Sequence, residues 1–288
     1  MASKDSLMEY WREVRAGTIG LAQLDAGRAA LKRARQLVES TGITSPPVVP
    51  HLKDIAGTVG VKEIRRTKIA GDGTLVPCED GYLILVNETH ALERQAFTVA
   101  HEIAHIILWG EERSGDELRN VTFRLRRHRG IEERICNRIA GELLMPKRLF
   151  EPAVSELGLA AASIPDLARM FQTSYSATAI RLAHCDLGIC IVIIWQLARN
   201  ADFEVTPLVK WAAKPDIVNL YIPQGAPQRV PDSVLECWET SVPVGNFEEL
   251  RLGGIRGRYY MDSARIGAQI FSVVHLKPHS PSGRTLAG

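Results

Sequence analysis

The sequence predicts an α+β protein, and three patterns in it support that fold class. Helical spacing of apolar residues runs over Leu92–Trp109 and again over Ile131–Leu144, which indicates two buried amphipathic helices. A short strand-like run, Tyr82–Val86, precedes them and ends at a turn signal. A continuous apolar, β-branched run, Ile189–Trp195, reads as a buried strand in a later part of the chain.

Composition limits the class of protein. The chain has 288 residues, of which 45% are hydrophobic and 24% charged, and its net charge is +2. This near-balance of basic and acidic residues argues against a protein that coats nucleic acid without sequence preference. No apolar run approaches the roughly 20 residues that a membrane-spanning helix needs. The five cysteines are scattered and form no C-x-x-C pair. We therefore expect a soluble cytoplasmic protein without disulfides and without a membrane partner.

The remaining elements follow in chain order. One or two helices are expected over residues 6–40, and three prolines then break the chain before a short helix at 51–60. The helix from Ile131 is stopped by Pro146. Residues 163–184 predict a small helix–turn–helix with Ser163 as N-cap, and a second late strand is expected near 268–276.

These elements predict four regions. Residues 1–150 would form the first domain, 151–187 a helix–turn–helix-like module, and 188–279 a C-terminal α/β domain. Residues 280–288 would be a disordered tail.

The segment His101-Glu-Ile-Ala-His105 carries the chemistry of the first region, because it matches the pattern H-E-x-x-H on a predicted helix. The i, i+4 spacing places both imidazoles on one helical face, where each can offer a nitrogen to the same zinc ion. Glu102 lies beside them and could take a proton from water. A catalytic zinc site still needs a third protein ligand.

The next helix offers that ligand. Glu133 follows His105 by 28 residues, and Asn137 lies on the same face one turn later, where it could hydrogen-bond the far nitrogen of a ligand histidine. Glu132 is the alternative ligand, although it lies about 100° around the helix. His128 is a second alternative, in an arginine-rich connection without a predicted rigid element.

Three further features leave two interpretations each. The strand Tyr82, Leu83, Ile84, Leu85 and Val86 could be an edge strand that pairs with an extended substrate, or an interior core strand. The helix–turn–helix could bind DNA, but its second helix offers only Arg181 and His184, so packing or partner docking is favoured. The arginine-rich stretch at 124–129 reads as a solvated face or as the rim of a site for an acidic substrate.

Two separated blocks resemble the ImmA/IrrE family of metallopeptidases. They are F-T-V-A-H-E-I-A-H, residues 97–105, and E-R-I-C-N-R-I-A-G-E-L-L-M-P, residues 133–146, with mild departures at Cys136, Ile139 and Gly141. The resemblance implies that residues 1–150 form a zinc metallopeptidase domain with a gluzincin-like fold and one Zn²⁺ per chain, held by the two histidines and Glu133, with Glu102 as catalyst. Three-domain relatives carry a GAF-like sensor domain at the C-terminal end, which residues 188–279 match in position only.

The resemblance further implies cleavage of a regulatory partner, typically a helix–turn–helix transcriptional repressor, with derepression of stress-response or mobile-element genes. The alternative is a DNA-binding or DNA-damage-response transcriptional regulator with a non-catalytic metal site.

Overall fold

A computed structural model describes residues 20–113, 129–199, 205–215, 218 and 220–276. Contacts group the chain into two compact units, the first up to Leu149 together with Phe171–Thr173, the second comprising the rest. The predicted helix before residue 20, His128 with the arginines at 124–127, and the predicted tail at 280–288 lie outside the described residues. The predicted division at 150 and 187 stays a prediction.

The first unit combines four helices with three strands in its described part. The helices are α1 (Gly20–Ser40), α2 (Leu52–Thr58), α3 (Leu92–Arg113) and α4 (Arg129–Leu144), and the strands are β1 (Val61–Thr67), β2 (Gly73–Cys78) and β3 (Gly81–Asn87). The helices predicted at 92–109 and 131–144 and the strand predicted at 82–86 all form where the apolar spacing placed them.

The three strands form a sheet in the order β1-β3-β2. Strand β1 runs parallel to β3 and β2 runs antiparallel to it, so that Ile84 pairs with Ile64 on one side and with Leu75 on the other. Of the two interpretations of Tyr82–Val86, the interior strand is the one that forms, and the substrate-binding edge strand is excluded, because both edges of β3 already carry ladder hydrogen bonds. Within the described sheet, β1 and β2 are the edge strands, and each has one edge without a paired strand.

Two residues set the position of β2. Gly81 closes the β2–β3 hairpin at φ 150°, and a Cβ there would lie 2.2 Å from the carbonyl oxygen of Gly60, so only glycine fits. The buried side chain of Asn87 donates hydrogen bonds to the carbonyls of Ile69 and Gly71, at 2.9 and 2.8 Å. These bonds fix the loop that leads into β2.

Helices α3 and α4 pack against each other and against α1. Their contact faces are fully buried and lined by small or branched apolar residues, which include Ala100, Ile103, Ala104, Leu108, Ile139, Ala140 and Leu143. The end of α4 is held by Glu142, whose carboxylate accepts from the backbone N–H of Lys147 at 2.9 Å and pairs with Arg35 at 3.1 Å. Pro146 follows and ends the helix, since proline has no N–H to donate.

Three helices follow: α5 (Lys147–Leu157), α6 (Ile164–Phe171) and α7 (Tyr175–Ala183). Ser163 is not the N-cap that was expected, because it lies in a 3₁₀ turn and its hydroxyl donates to the carbonyls of Gly158 and Ala160. Ser174 instead caps α7 by accepting from the N–H of Ala177 at 3.2 Å. The pair α6–α7 has the length of a helix–turn–helix, and its role as one stays a prediction.

The C-terminal part contains β4 (Cys190–Arg199), β5 (Val205–Ala213), α8 (Asp232–Thr240), β6 (Val244–Leu252), β7 (Ile255–Ile266) and β8 (Gln269–His275). The strand order is β5-β4-β8-β7-β6, and every pair is antiparallel. The expected α/β domain is thus an α+β arrangement in the described residues, because hairpins rather than helical crossovers join β6, β7 and β8. A GAF-like sensor role stays a prediction.

The core of this sheet contains a chain of buried polar groups. The indole N–H of Trp195 donates to the Ser272 hydroxyl at 2.9 Å, Ser272 and Ser263 lie 2.7 Å apart, and Ser233 of α8 lies 3.3 Å from Ser263. Each group is satisfied by the next, as buried polar groups must be. No helix among the described residues is both long and apolar enough to cross a bilayer.

Candidate metal centre

The sequence-predicted site residues meet between α3 and α4. His101, Glu102 and His105 lie in the middle of α3, while Glu133 lies in the second turn of α4 and Asn137 near the middle of that helix. Because the faces behind them are packed into the core, both helices hold these side chains on a rigid support.

Three ligand-type atoms converge at this point. The Nε2 atoms of His101 and His105 lie 3.2 Å apart, and the Glu133 carboxylate lies 3.1 Å from His101 Nε2 and 3.9 Å from His105 Nε2. One atom from each residue falls within a span of 4.8 Å. Glu133 keeps half of its side chain exposed (51%), so this place remains open to solvent.

The spacing fits a divalent metal ion. Two nitrogens bound to tetrahedral zinc at about 2.0–2.1 Å would lie roughly 3.3 Å apart. The observed His–His and His–Glu separations of 3.2 and 3.1 Å agree with that geometry. The donor set of two imidazoles and one carboxylate is also one that catalytic zinc sites use, with a fourth position left open.

Both histidines are fixed through the nitrogen that points away from this centre. His101 Nδ1 lies 3.0 Å from Asn137 Oδ1, and His105 Nδ1 lies 3.1 Å from Glu132 Oε1. Asn137 thus lies where the sequence placed it, beside a candidate ligand histidine. A polar partner at the far nitrogen sets both the tautomer and the ring orientation of a ligand histidine.

The electrostatics of the two rings differ. Burial and the neighbouring charge of His105 lower the pKa of His101, which favours the neutral imidazole that a metal requires. Burial also lowers the pKa of His105, but the hydrogen bond to Glu132 and the charges of Glu102, Glu132 and Glu133 outweigh it, so that this pKa is raised. His105 therefore sits among three acids, where a positive charge is stabilised.

Glu102 has a different environment from its neighbours. Burial raises the pKa of its carboxyl group above the ordinary value for glutamate. Its carboxylate makes no hydrogen bond to another side chain or backbone group among the described residues. A glutamate with a raised pKa and unused oxygen atoms is suited to exchange protons with a water molecule.

The edge strand β2 passes next to Glu102. A Cβ built on Gly73 would come within 3.8 Å of Glu102 Oε1 and would collide with Thr98 Cγ2 at 2.3 Å. Glycine at this position therefore lets the edge strand approach the face of α3 that bears Glu102.

Sequence reasoning missed Trp109 and considered Glu132 only as a ligand. Glu132 was considered as a rival ligand, yet its carboxylate contacts the far nitrogen of His105 and accepts from Trp109 Nε1 at 3.0 Å. The Trp109 ring also lies against the His105 ring, with centroids 5.4 Å apart. Trp109 follows His105 by four residues, so helical spacing could have placed it on the same face.

Known proteins resemble the part of the chain that contains these residues. Residues 59–183 match the peptidase family described as the IrrE N-terminal-like domain. The radiation response metalloprotease IrrE of Deinococcus deserti is 30% identical over 183 residues, which cover 60% of this chain and 60% of that protein. The protein of the same name from Deinococcus radiodurans is 29% identical over 154 residues, or 53% of this chain and 45% of that protein.

The matched region thus spans 60% and 45% of the lengths of these two relatives. Among solved structures, a Mycobacterium tuberculosis transcriptional regulator resembles the chain with a TM-score of 0.50 and 14% identity, covering 85% of this chain and 75% of that one. At that identity the likeness concerns the fold alone. The family match spans both motif-bearing helices, and residues 59–183 resemble the ImmA/IrrE family of metallopeptidases.

Proposed function

We propose that this protein is a zinc-dependent endopeptidase that cleaves one regulatory protein, of the helix–turn–helix repressor class, in the cytoplasm. The observation behind the proposal is the convergence of His101, His105 and Glu133, with the half-buried Glu102 alongside and without a hydrogen-bond partner among the described residues. The relatives named radiation response metalloproteases support a role in which proteolysis is part of a stress response.

In this proposal His101, His105 and Glu133 hold the ion. When bound, zinc would polarise the substrate carbonyl and lower the pKa of a water molecule. Glu102 takes one proton from that water while the water oxygen bonds to the carbonyl carbon. The same carboxyl then passes the proton to the amide nitrogen as the C–N bond breaks, which releases a carboxylic acid and an amine.

The free edge of β2 is the proposed place for the substrate backbone. An extended peptide can add to an open sheet edge through main-chain hydrogen bonds. Because Gly73 of β2 lies close to Glu102, a peptide paired with β2 would have a backbone carbonyl near the Glu102 carboxylate. Pro77, on the same strand, is compatible with an edge position because an edge strand tolerates one missing donor.

The DNA-binding alternative loses support at its main candidate donor. Arg181 has only 7% of its surface exposed, its guanidinium lies 5.2 Å from the centre of the Phe150 ring, and it donates to the carbonyl of His184. A side chain engaged in this way is not presented to phosphates or base edges. The peptidase proposal is the one that the described side chains favour.

The test uses Glu102→Gln, which keeps the size of the side chain but removes the base. Purified zinc-loaded protein is incubated with helix–turn–helix repressors from the same genome, and cleavage is followed by mass spectrometry. We expect Glu102→Gln to retain zinc and to cleave at least about 100-fold more slowly. Glu93→Gln, an exposed carboxylate at the start of the same helix, is the matched control and should cleave normally.

The rival predicts a different result in cells. If Glu102→Gln derepresses the target genes as well as the unchanged protein does, the protein acts as a regulator and peptide cleavage is not its function.

A further inference from the structure

The two candidate ligand histidines are oriented by different chemistry. At its far nitrogen, His101 faces a neutral amide oxygen, that of Asn137, at 3.0 Å. His105 faces a carboxylate oxygen, that of Glu132, at 3.1 Å. A hydrogen bond to a carboxylate is roughly twice as strong as one between neutral groups, so the two rings are not held equally.

Glu132 is itself held in place. The indole N–H of Trp109 donates at 3.0 Å to the same oxygen that faces His105, and Glu132 is 8% exposed. Its neighbour Glu133 is half exposed and reaches the opposite nitrogens of the histidines. Two adjacent glutamates thus approach His105 from its two sides, one at Nδ1 and one at Nε2.

The thiol of Cys136 is a second contact of the same nitrogen. Its sulfur lies 3.4 Å from His105 Nδ1, one helical turn after Glu132. Because a thiol is a weak acceptor, the carboxylate of Glu132 is the group that decides where the His105 proton resides.

We propose that Glu132 is a positioning residue of the metal centre: it holds the His105 proton on Nδ1, so that the Nε2 lone pair faces the ion, while Trp109 fixes the Glu132 carboxylate. This inference rests on the proposed metal site and extends it by two residues. A carboxylate on the far nitrogen also raises the basicity of the ligand imidazole and strengthens its bond to the metal.

The proposal predicts a graded loss of metal affinity. Removal of such a partner typically costs 10–100-fold, so we expect about that loss for Glu132→Ala. Glu132→Gln should lose less, because its amide oxygen can still accept from His105. Trp109→Phe keeps the ring against His105 but removes the indole donor, and should also lose less than Glu132→Ala. Glu93→Gln is the control on the same helix and should bind like the unchanged protein.

The experiment measures zinc affinity by chelator competition on the full chain and, in parallel, the ¹⁵N spectra of the histidine rings. We expect the zinc-loaded protein to show a protonated Nδ1 at His105, with this signal weakened or shifted in Glu132→Ala and restored in Glu132→Gln. Circular dichroism checks that each variant folds. If Glu132→Ala unfolds, the zinc affinity and the ring spectra of Glu132→Gln are compared with those of the unchanged protein instead. A purely structural role for Glu132 would change stability without this change in the ring signal.

The outcomes separate the two proposals. If the unchanged protein binds no zinc, the metal site and the role of Glu132 are both wrong. If it binds zinc and Glu132→Ala binds equally tightly, the metal site stands and the positioning role is overturned. If Glu132→Ala loses zinc as completely as Glu133→Ala does, Glu132 is a ligand, which also overturns the inference.

Discussion

Histidine side chains lie beside carboxylates between α3 and α4 and also within the C-terminal sheet, and these two regions differ. In the first, two Nε2 atoms lie 3.2 Å apart next to the half-exposed Glu133. In the second, His275 Nε2 lies 3.0 Å from the Asp262 carboxylate, with the two side chains 7% and 14% exposed. The other Asp262 oxygen accepts from the backbone N–H of Ala161.

The difference shows what distinguishes a candidate metal site from a histidine–carboxylate pair that only stabilises the fold. Around His275 the carboxylate is engaged from both sides, and the pair resembles a satisfied element of the core. Around His101 and His105 the far nitrogens have partners while the near nitrogens converge on one open point. Residue type is the same in both regions, so convergence and accessibility distinguish them.

The largest expected effect comes from the third ligand. Glu133→Ala leaves two histidines, and a catalytic zinc site needs three protein ligands, so the metal content should fall from about one ion per chain to almost none. Metal analysis after dialysis measures this. Asp262→Ala also removes a carboxylate beside a histidine, and as the matched control it should leave the metal content unchanged. Metal kept by Glu133→Ala would show that another residue completes the site.

A smaller effect is expected from Asn137. Asn137→Ala removes the acceptor at His101 Nδ1 but leaves all three ligands, so zinc affinity should fall about 10–100-fold without unfolding. Chelator competition measures the affinity. An unchanged affinity would mean that Asn137 only packs against His101. The convergence of the three candidate ligands would then be what distinguishes this centre from the His275–Asp262 pair.

The smallest effect on the metal, and a clear one on stability, is expected in the C-terminal sheet. Asp262→Ala removes the carboxylate that His275 Nε2 and the N–H of Ala161 contact, which should lower the free energy of unfolding by about 1–3 kcal/mol. Urea denaturation followed by tryptophan fluorescence measures this change, since Trp195, Trp211 and Trp238 all lie in the C-terminal part. Asp166→Ala, which breaks an exposed pair with Arg169, is the control and should change stability little. An unchanged midpoint for Asp262→Ala would show that its hydrogen bonds are replaced by water.

Several interactions of the site depend on contacts between distant residues. Glu132 and His105 are 27 positions apart in the sequence. Whether a glutamate of α4 contacts Nε2 or Nδ1 of the His105 ring depends on how α3 and α4 pack. The same holds for β3, since its apolar run fits an edge or an interior strand equally well until its partners are known. Gly73 gave no signal in the sequence, because its importance lies in the distance to Thr98.

The sequence by itself determined the candidate ligand types, the helices that bear them and the family resemblance, because helical spacing and motif content are local properties of the chain. The i, i+4 histidines, the acid between them and the glutamate–asparagine pair of α4 all follow from that spacing. The tertiary structure alone decided that β3 is an interior strand, that Glu132 lies at the far nitrogen of His105, and that Arg181 is buried rather than presented to DNA. Those outcomes depend on how helices and strands that are distant in the sequence pack together, because that packing determines which side chains come into contact.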